Sequence, residues 1–277
     1  IQMQLDIFLF PIALFIHHAI IANMIDILLC NDDGIHAPGI YELHQSLQPI
    51  ASIDLIAPDA ERSAAGHAIT LTDPLKVMPI EKNDQPFGLA VSGTPADCIK
   101  LSLCHLRKTN PPDLVVSGIN LGSNTGISVL YSGTVSAASE AVILGIPGIA
   151  ISLCTYHNPH WETAAHVARE IVKKQKKDPL PPGVLLNVNV PNVPLNELKG
   201  FQVARMGRSR FVERFSTHQD PRGNTYYWLD GDLELLDDRP NTDVHVVEAG
   251  FASLTPIHID LTAESAIEQL THWNKTF

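Results

Sequence analysis

The residues with the most chemical potential stand together at Asn31-Asp32-Asp33-Gly34, directly after a short apolar run from Ile25 to Cys30. Adjacent carboxylates repel and raise each other's pKa, whereas a divalent ion turns the same repulsion into affinity. Asp32 and Asp33 are therefore read both as metal ligands and as catalytic carboxylates. Gly34 permits the sharp exit from a strand that brings both side chains to one place. The same four residues also favour turns, so a plain turn is the competing reading. Further along, Pro58-Asp59-Ala60-Glu61-Arg62-Ser63 and Gly118-Ile119-Asn120 each close an apolar run. Ser63 and Asn120 offer a hydroxyl and a carboxamide oxygen to the same ion, although each taken alone reads as an ordinary loop or turn residue. An all-oxygen set suits one Mg²⁺ or Mn²⁺, with Ca²⁺ able to occupy it less productively.

Residues 117–134 form a Gly-rich loop whose last residues, Ser132-Gly133-Thr134, lead into a helical pattern through Val135, Ala138 and Val142. A helix N-terminus with free N–H groups and two hydroxyls can hold phosphate oxygens. Asn120, Ser132, Gly133 and Thr134 are accordingly the candidate phosphate ligands, with a simple N-cap as the alternative for Ser132. Ser92-Gly93-Thr94 has the same form, but capping alone explains it. His36 and His67 flank the proposed site and could orient substrate or protonate a leaving oxygen. No H-x-x-x-H pair or His/Cys cluster points to zinc. There is no G-x-G-x-x-G after the first strand and no G-x-x-x-x-G-K-[ST], which excludes the usual dinucleotide and nucleoside triphosphate cradles. Aspartyl-phosphate chemistry uses Asp-x-Asp spacing, whereas Asp32 and Asp33 are adjacent.

The elements that must position these groups alternate. β-Branched runs at Ile25–Cys30, 52–57, 87–91, 113–117 and 148–153 are interleaved with helical patterns at 38–48, from Thr94, 133–145 and 160–176, the rhythm of a parallel sheet. Ligands bind at the carboxyl ends of such strands, where the candidate residues fall. Thr94 is expected to cap its helix with Pro95 in the first turn and Asp97 completing the box; Ile99, Leu103 and Leu106 mark its buried face. Beyond Pro181 the pattern turns β-rich, with runs at 184–190, 201–206, 225–229 and 244–247. The polar segment 208–239 is expected to project as a hairpin that contacts a partner. Residues 57–71 are a lid candidate.

Taken together, ILLCNDDGIHAPGI, APDAERSAAGHAITL, SGTPADC, SGINLGSNTG, YSGTVSAASEA, NVNVP, DPRGNTYYW and ASLTPIHIDLT, in that order, resemble the SurE nucleotidase family from Met24 to about Leu270. The resemblance implies an α/β fold: a Rossmann-like, mostly parallel sheet flanked by helices, with a β-rich C-terminal extension that builds dimers or tetramers through exchanged elements. It places Asp32, Asp33, Ser63 and Asn120 at the family's metal positions and Ser132, Gly133 and Thr134 at its phosphate-holding turn. The implied substrates are nucleoside 5′- and 3′-monophosphates, and for some members short polyphosphate. One departure is Ala64, where many relatives carry Gly after the metal-binding Ser.

Composition agrees with such an enzyme. Thirty acidic against nineteen basic residues give a formal charge of −11, unsuited to a nucleic-acid polymer. No Lys or Arg precedes Arg62, so an anionic substrate needs an ion or backbone N–H groups. The four cysteines form no C-x-x-C pair and lie in apolar runs, which suits buried, reduced thiols and a cytoplasmic protein. The expected organisation is an apolar extension at 1–23, a metallophosphatase core at 24–180 and a β-rich part with hairpin and final helix at 181–277. Residues 7–22 are nearly all apolar but short for a span, with Pro11, His17 and His18 inside and no basic flank. Met24 is therefore expected to be the native start and no membrane is expected to be a partner, with an anchor as the alternative.

Overall fold

The computed structural model describes residues 24–234, 236 and 239–275; the apolar extension at 1–23 lies outside them. Nine strands form one sheet in the order β3-β4-β2-β1-β5-β6-β7-β11-β8. They are β1 (Ile25–Cys30), β2 (Ala51–Pro58), β3 (Val77–Lys82), β4 (Gln85–Val91), β5 (Leu114–Leu121), β6 (Gly148–Cys154), β7 (Val184–Pro191), β8 (Phe201–Val203) and β11 (Ala252–His258). From β4 to β7 every neighbour pair is parallel; β3 on β4 and β11 on β7 are antiparallel. The helices are α1 (Pro38–Leu47), α2 (Pro95–Leu101), α3 (Gly133–Ile143), α4 (Trp161–Lys177), α5 (Asp243–Glu248) and α6 (Glu264–Leu270). A separate antiparallel pair, β9 (Arg210–Gln219) with β10 (Thr225–Glu234), is the hairpin expected in 208–239.

The alternation of β1 explains the layers. Ile27 and Leu29 pack with Ile40, Leu43 and Leu47 of α1 and Val167 and Ile171 of α4, while Leu28 and Cys30 pack with Cys98 and Ile99 of α2 and Ala137 and Ala141 of α3. Both faces are covered, so β1 reads as a continuous apolar run. Truncating Ile27 or Leu29 to Ala costs about 2–5 kcal/mol.

Several elements differ from the sequence reading, each for a local reason. The chain passes from α2 into a π-helical turn at Ser102–Leu106, closed by Arg107 N–H on the Ser102 carbonyl at 2.7 Å. That turn rotates the side chains off the 3.6-residue period. Leu103 stays buried, but Leu106 is exposed, and so is Cys104, contrary to the expectation of four buried thiols. Cys30 and Cys98 are buried, and all four are free. Residues 244–247 were expected as strand because Val is β-branched; they lie in α5, where the Asp243 carboxylate takes the Val244 N–H at 2.9 Å. The strand expected at 201–206 stops at Val203, leaving a single bridge between Arg205 and Thr242. β5 runs past Ser117, but its register on β6 breaks between Ser117 and Asn120. No described helix is long and apolar enough to cross a membrane.

Candidate active site

The chain reverses the sheet order at β1, with β2 on one side and β5 on the other, and the residues after β1 and β5 meet at this crevice. Such a switch point is where ligands bind in open α/β sheets. The segment Asn31–Gly34 makes its own turn there: the Asn31 amide donates to the Gly34 carbonyl at 2.9 Å, and Gly34 has φ +94. A Cβ on Gly34 would sit 3.2 Å from the Ala60 carbonyl carbon, so the loop after β2 lies directly against this turn. Ile35 N–H donates to Pro58 O at 2.9 Å and Arg62 N–H to Asp32 O at 2.8 Å, closing the two loops together. The residues do form the turn, and the candidate carboxylates stand on it.

Asp32 is 4% exposed and Asp33 half-buried. Burial raises the Asp32 pKa, opposed by the hydrogen bond that the Thr134 hydroxyl donates to Asp32 Oδ1. Asp33 is pushed up to about 7, first by burial and then by the charges of Asp32 and Glu61, against one N–H from Leu121 to its Oδ2 at 3.4 Å. Gly133 fits against Asp32: a Cβ there would lie 2.6 Å from the Asp32 Cβ and 2.9 Å from Oδ2. The N-terminal turn of α3 therefore abuts the aspartate. The positive end of the helix dipole favours negative charge at this point.

The remaining expected residues fall as follows. Asn120 is half-buried and gives its Nδ2 to Gly122 O at 2.8 Å, which leaves its carboxamide oxygen as an acceptor; its chain neighbour Leu121 gives its N–H to Asp33. Ser63 is exposed, and its hydroxyl donates to Glu61 Oε1 at 2.7 Å rather than to either aspartate. Ser132 accepts Val135 N–H at 3.1 Å and so caps α3, keeping its own proton to donate. The Thr134 hydroxyl is already given to Asp32. His36 is exposed; His67 pairs through Nε2 with Glu140 Oε2 at 2.8 Å. Among the described residues no three His, Cys, Asp or Glu side chains are grouped to hold a metal. The groups that the structure brings together are the Asp32 and Asp33 carboxylates and the Thr134 hydroxyl, and oxygens of this kind suit a hard divalent ion better than zinc.

Sequence reasoning missed the groups that hold this arrangement. Glu61 adds a third charge to the pair, and a lone loop Glu gives no signal of that. Asn124, buried, donates its N–H to Asn189 Oδ1 at 2.8 Å and its Nδ2 to Ser152 Oγ at 2.8 Å. Its carbonyl accepts from Asn187 at 2.8 Å and Asn189 at 3.2 Å. This network, which explains the NVNVP motif, fixes the loop that follows Asn120 at the end of β5. Asp243, fully buried, accepts the N–H of Gly126 at 2.8 Å and of Gly207 at 3.0 Å, tying the same loop to the C-terminal part.

The segment 57–71 is fastened along its length. Gly66 N–H donates to Tyr131 O at 3.0 Å, Thr94 Oγ1 to Ala68 O at 2.7 Å, and Thr70 to Asp97 through N–H at 2.9 Å and hydroxyl at 2.6 Å. Asp97 is also the partner of Thr94 in the expected capping box. A polar cavity of about 450 Å³ lined by Arg62, Thr70, Asp73, Pro74, Lys76 and Ser92 opens beside this segment. A larger one, about 550 Å³ between Leu28, Ile56, Phe87 and Arg107, lies toward the start of β1 and β4, where Asp26 and Asp54 already hold Arg107.

The model of the Survival protein SurE family matches residues 27–213. The chain belongs to the SurE family. Proteins named 5′-nucleotidase SurE are similar along nearly their whole length. That of Syntrophobacter fumaroxidans is 46% identical over 248 residues, covering 90% of this chain and 99% of the relative. That of Desulforamulus reducens is 48% identical over 254 residues, covering 90% and 99%. The crystal structure of the SurE protein from Aquifex aeolicus matches with a TM-score of 0.79 at 38% identity, over 90% of this chain and all of that one. Four of the eight SurE-like motifs carry the turn after β1, the loop after β2, the end of β5 with its following loop, and the start of α3; the others include the Asn187–Pro191 strand segment and the hairpin turn.

Proposed function

We propose that this chain is a divalent-metal-dependent phosphomonoesterase that hydrolyses nucleoside 5′-monophosphates to nucleoside and phosphate. The observation that carries the reading is the adjacent pair of buried Asp32 and half-buried Asp33 at the switch point, with Asp32 against the N-terminus of α3, in a chain 46–48% identical to proteins named 5′-nucleotidase. Asp32 and Asp33 would hold the ion, with the Asn120 oxygen and, after release from Glu61, the Ser63 hydroxyl completing the set. Bound Mg²⁺ or Mn²⁺ supplies charge to the phosphoryl oxygens and acidifies water.

The chain's own groups do the rest. N–H groups of Gly133 and Thr134 and the free proton of Ser132 hold phosphoryl oxygens at the helix terminus. Thr134 fixes the Asp32 rotamer. Asp33, half-exposed, orients the attacking water and takes its proton as the new P–O bond forms and the ester P–O bond breaks in line. The leaving ribose oxygen receives a proton from solvent. The same geometry extends to 3′-monophosphates and short polyphosphate, since the contacts are to phosphate.

The hairpin exposes Phe215, Tyr227, Trp228 and Leu229, and the C-terminal end exposes Ile267, Leu270 and Trp273. Apolar surface of this extent supports a homodimer or homotetramer. The free thiols support a cytoplasmic setting. The test is product analysis: AMP, GMP and their 3′ isomers incubated with the protein and Mn²⁺ should each yield nucleoside and one phosphate. Binding without product would replace the enzyme by a nucleotide-binding protein.

A further inference from the structure

We propose that the polar cavity beside Arg62 receives the nucleoside part of the substrate, with Arg62 and Lys76 as its donors. This rests on the nucleotidase reading above. At about 450 Å³ the cavity has the size of a small-molecule site. Its position follows from the chain: Arg62 N–H is bonded to Asp32 O at 2.8 Å, and its guanidinium reaches Asp59 at 3.2 Å and Ser92 O at 3.5 Å. The side chain therefore runs from the aspartate pair across β2 to the end of β4. That distance is two strand spacings, about 10 Å, the scale of a nucleoside attached to its phosphate.

The chemistry of the walls is that of an uncharged polar ligand. Arg62 Nε is enclosed, and its Nη2 is held by Asp59 Oδ1 and Ser92 O, so the guanidinium is fixed as one wall of the cavity. Lys76 makes no ion pair among the described residues, yet its backbone is fixed: its N–H donates to Ser92 Oγ at 2.9 Å and its carbonyl accepts Ser92 N–H at 3.0 Å. Ser92 keeps its hydroxyl proton to donate. Asp73 offers an acceptor for ribose hydroxyls, and Thr70, held by Asp97, forms a fixed wall. Asp59 and Asp73 balance the charges of Arg62 and Lys76, so the cavity suits a sugar and a base bearing carbonyl or ring-nitrogen acceptors rather than a second phosphate.

The experiment compares kcat/KM for GMP, AMP and UMP with that for phenyl phosphate, which has no nucleoside, in the wild type, Lys76→Ala and Lys82→Ala. Lys76→Ala should lower the nucleotide-to-phenyl-phosphate ratio about tenfold through KM, the loss of one charged hydrogen bond. Lys82→Ala, a charge loss on the far end of β3, should keep the wild-type ratio. A Lys76→Ala enzyme with the wild-type ratio, or with both substrates slowed equally, overturns the proposal. A wild type that turns over phenyl phosphate as well as nucleotides removes the nucleotidase reading, and this inference with it.

Discussion

Thr134 gives Asp32 a hydroxyl and Leu121 gives Asp33 a long N–H bond, and these are too few contacts to offset the burial of two adjacent carboxylates. The pair is therefore strained without a cation, and its raised pKa values express that. Two consequences separate a metal site from a turn. Asp32→Asn should melt no lower than the wild type in chelator, because a costly charge is gone, but should lose the rise in Tm that Mn²⁺ gives the wild type; a metal-induced rise retained in the variant would exclude Asp32 as a ligand. Gly133→Ala should cost about 1–3 kcal/mol by overpacking and reduce turnover with it, since its Cβ would press on Asp32 at 2.6 Å. Chemical denaturation and steady-state rates on the same preparation check both halves.

Among the elements, α3 carries the proposed phosphate turn at one end and Glu140 further along. Burial raises the Glu140 pKa, but hydrogen bonds from His67 and Lys100, at 2.8 and 2.6 Å, outweigh it and leave the carboxyl below its usual value. A depressed carboxylate contributes stability that is present above its unfolded pKa, 4.5, and lost as pH falls through the folded value. Glu140→Gln should thus be less stable than the wild type by about 1–3 kcal/mol at pH 7, with the gap closing below about pH 4. Melting curves across pH measure it; a gap independent of pH would mean that packing, not charge, anchors the segment 57–71. Much of this scaffold was legible beforehand. The run of β1 and the Thr94–Asp97 capping box follow from local pattern, because neighbours on both faces merely reinforce what the residues prefer. The strand expected at 244–247 failed because the buried Asp243 carboxylate, bonded to Gly126 and Gly207, decides the conformation from outside the segment. Leu106 failed because one π turn breaks the period. At the site, Asp32, Asp33 and Gly133 were readable as types at strand and helix ends. Glu61 and the Asn124 network were not, since their roles exist only through contacts distant in sequence.

At the scale of the molecule, the hairpin and the C-terminal end both expose large apolar side chains. A two-stranded hairpin is marginal by itself, yet β9 and β10 project Phe215 at 69% exposure and Trp228 at 64%. Cross-strand neighbours put Phe215 opposite Leu229 and Trp228 opposite Ser216, so apolar groups occupy both sides of the ribbon. Light scattering should give a mass that is a multiple of 30.3 kDa, and Phe215→Asp with Trp228→Asp should lower it; an unchanged mass would assign the interface elsewhere, and a monomeric wild type would end the oligomer proposal. The charge of −11 makes the central claim sharper, because a phosphate dianion is repelled unless an ion mediates. Phosphate release from AMP should therefore cease in chelator and return with Mg²⁺ or Mn²⁺, while Asp32→Ala, folded by circular dichroism, stays at least about 10²-fold slower under every condition. Turnover that persists in chelator, or survives in Asp32→Ala, would contradict a metal-dependent phosphatase built on this pair.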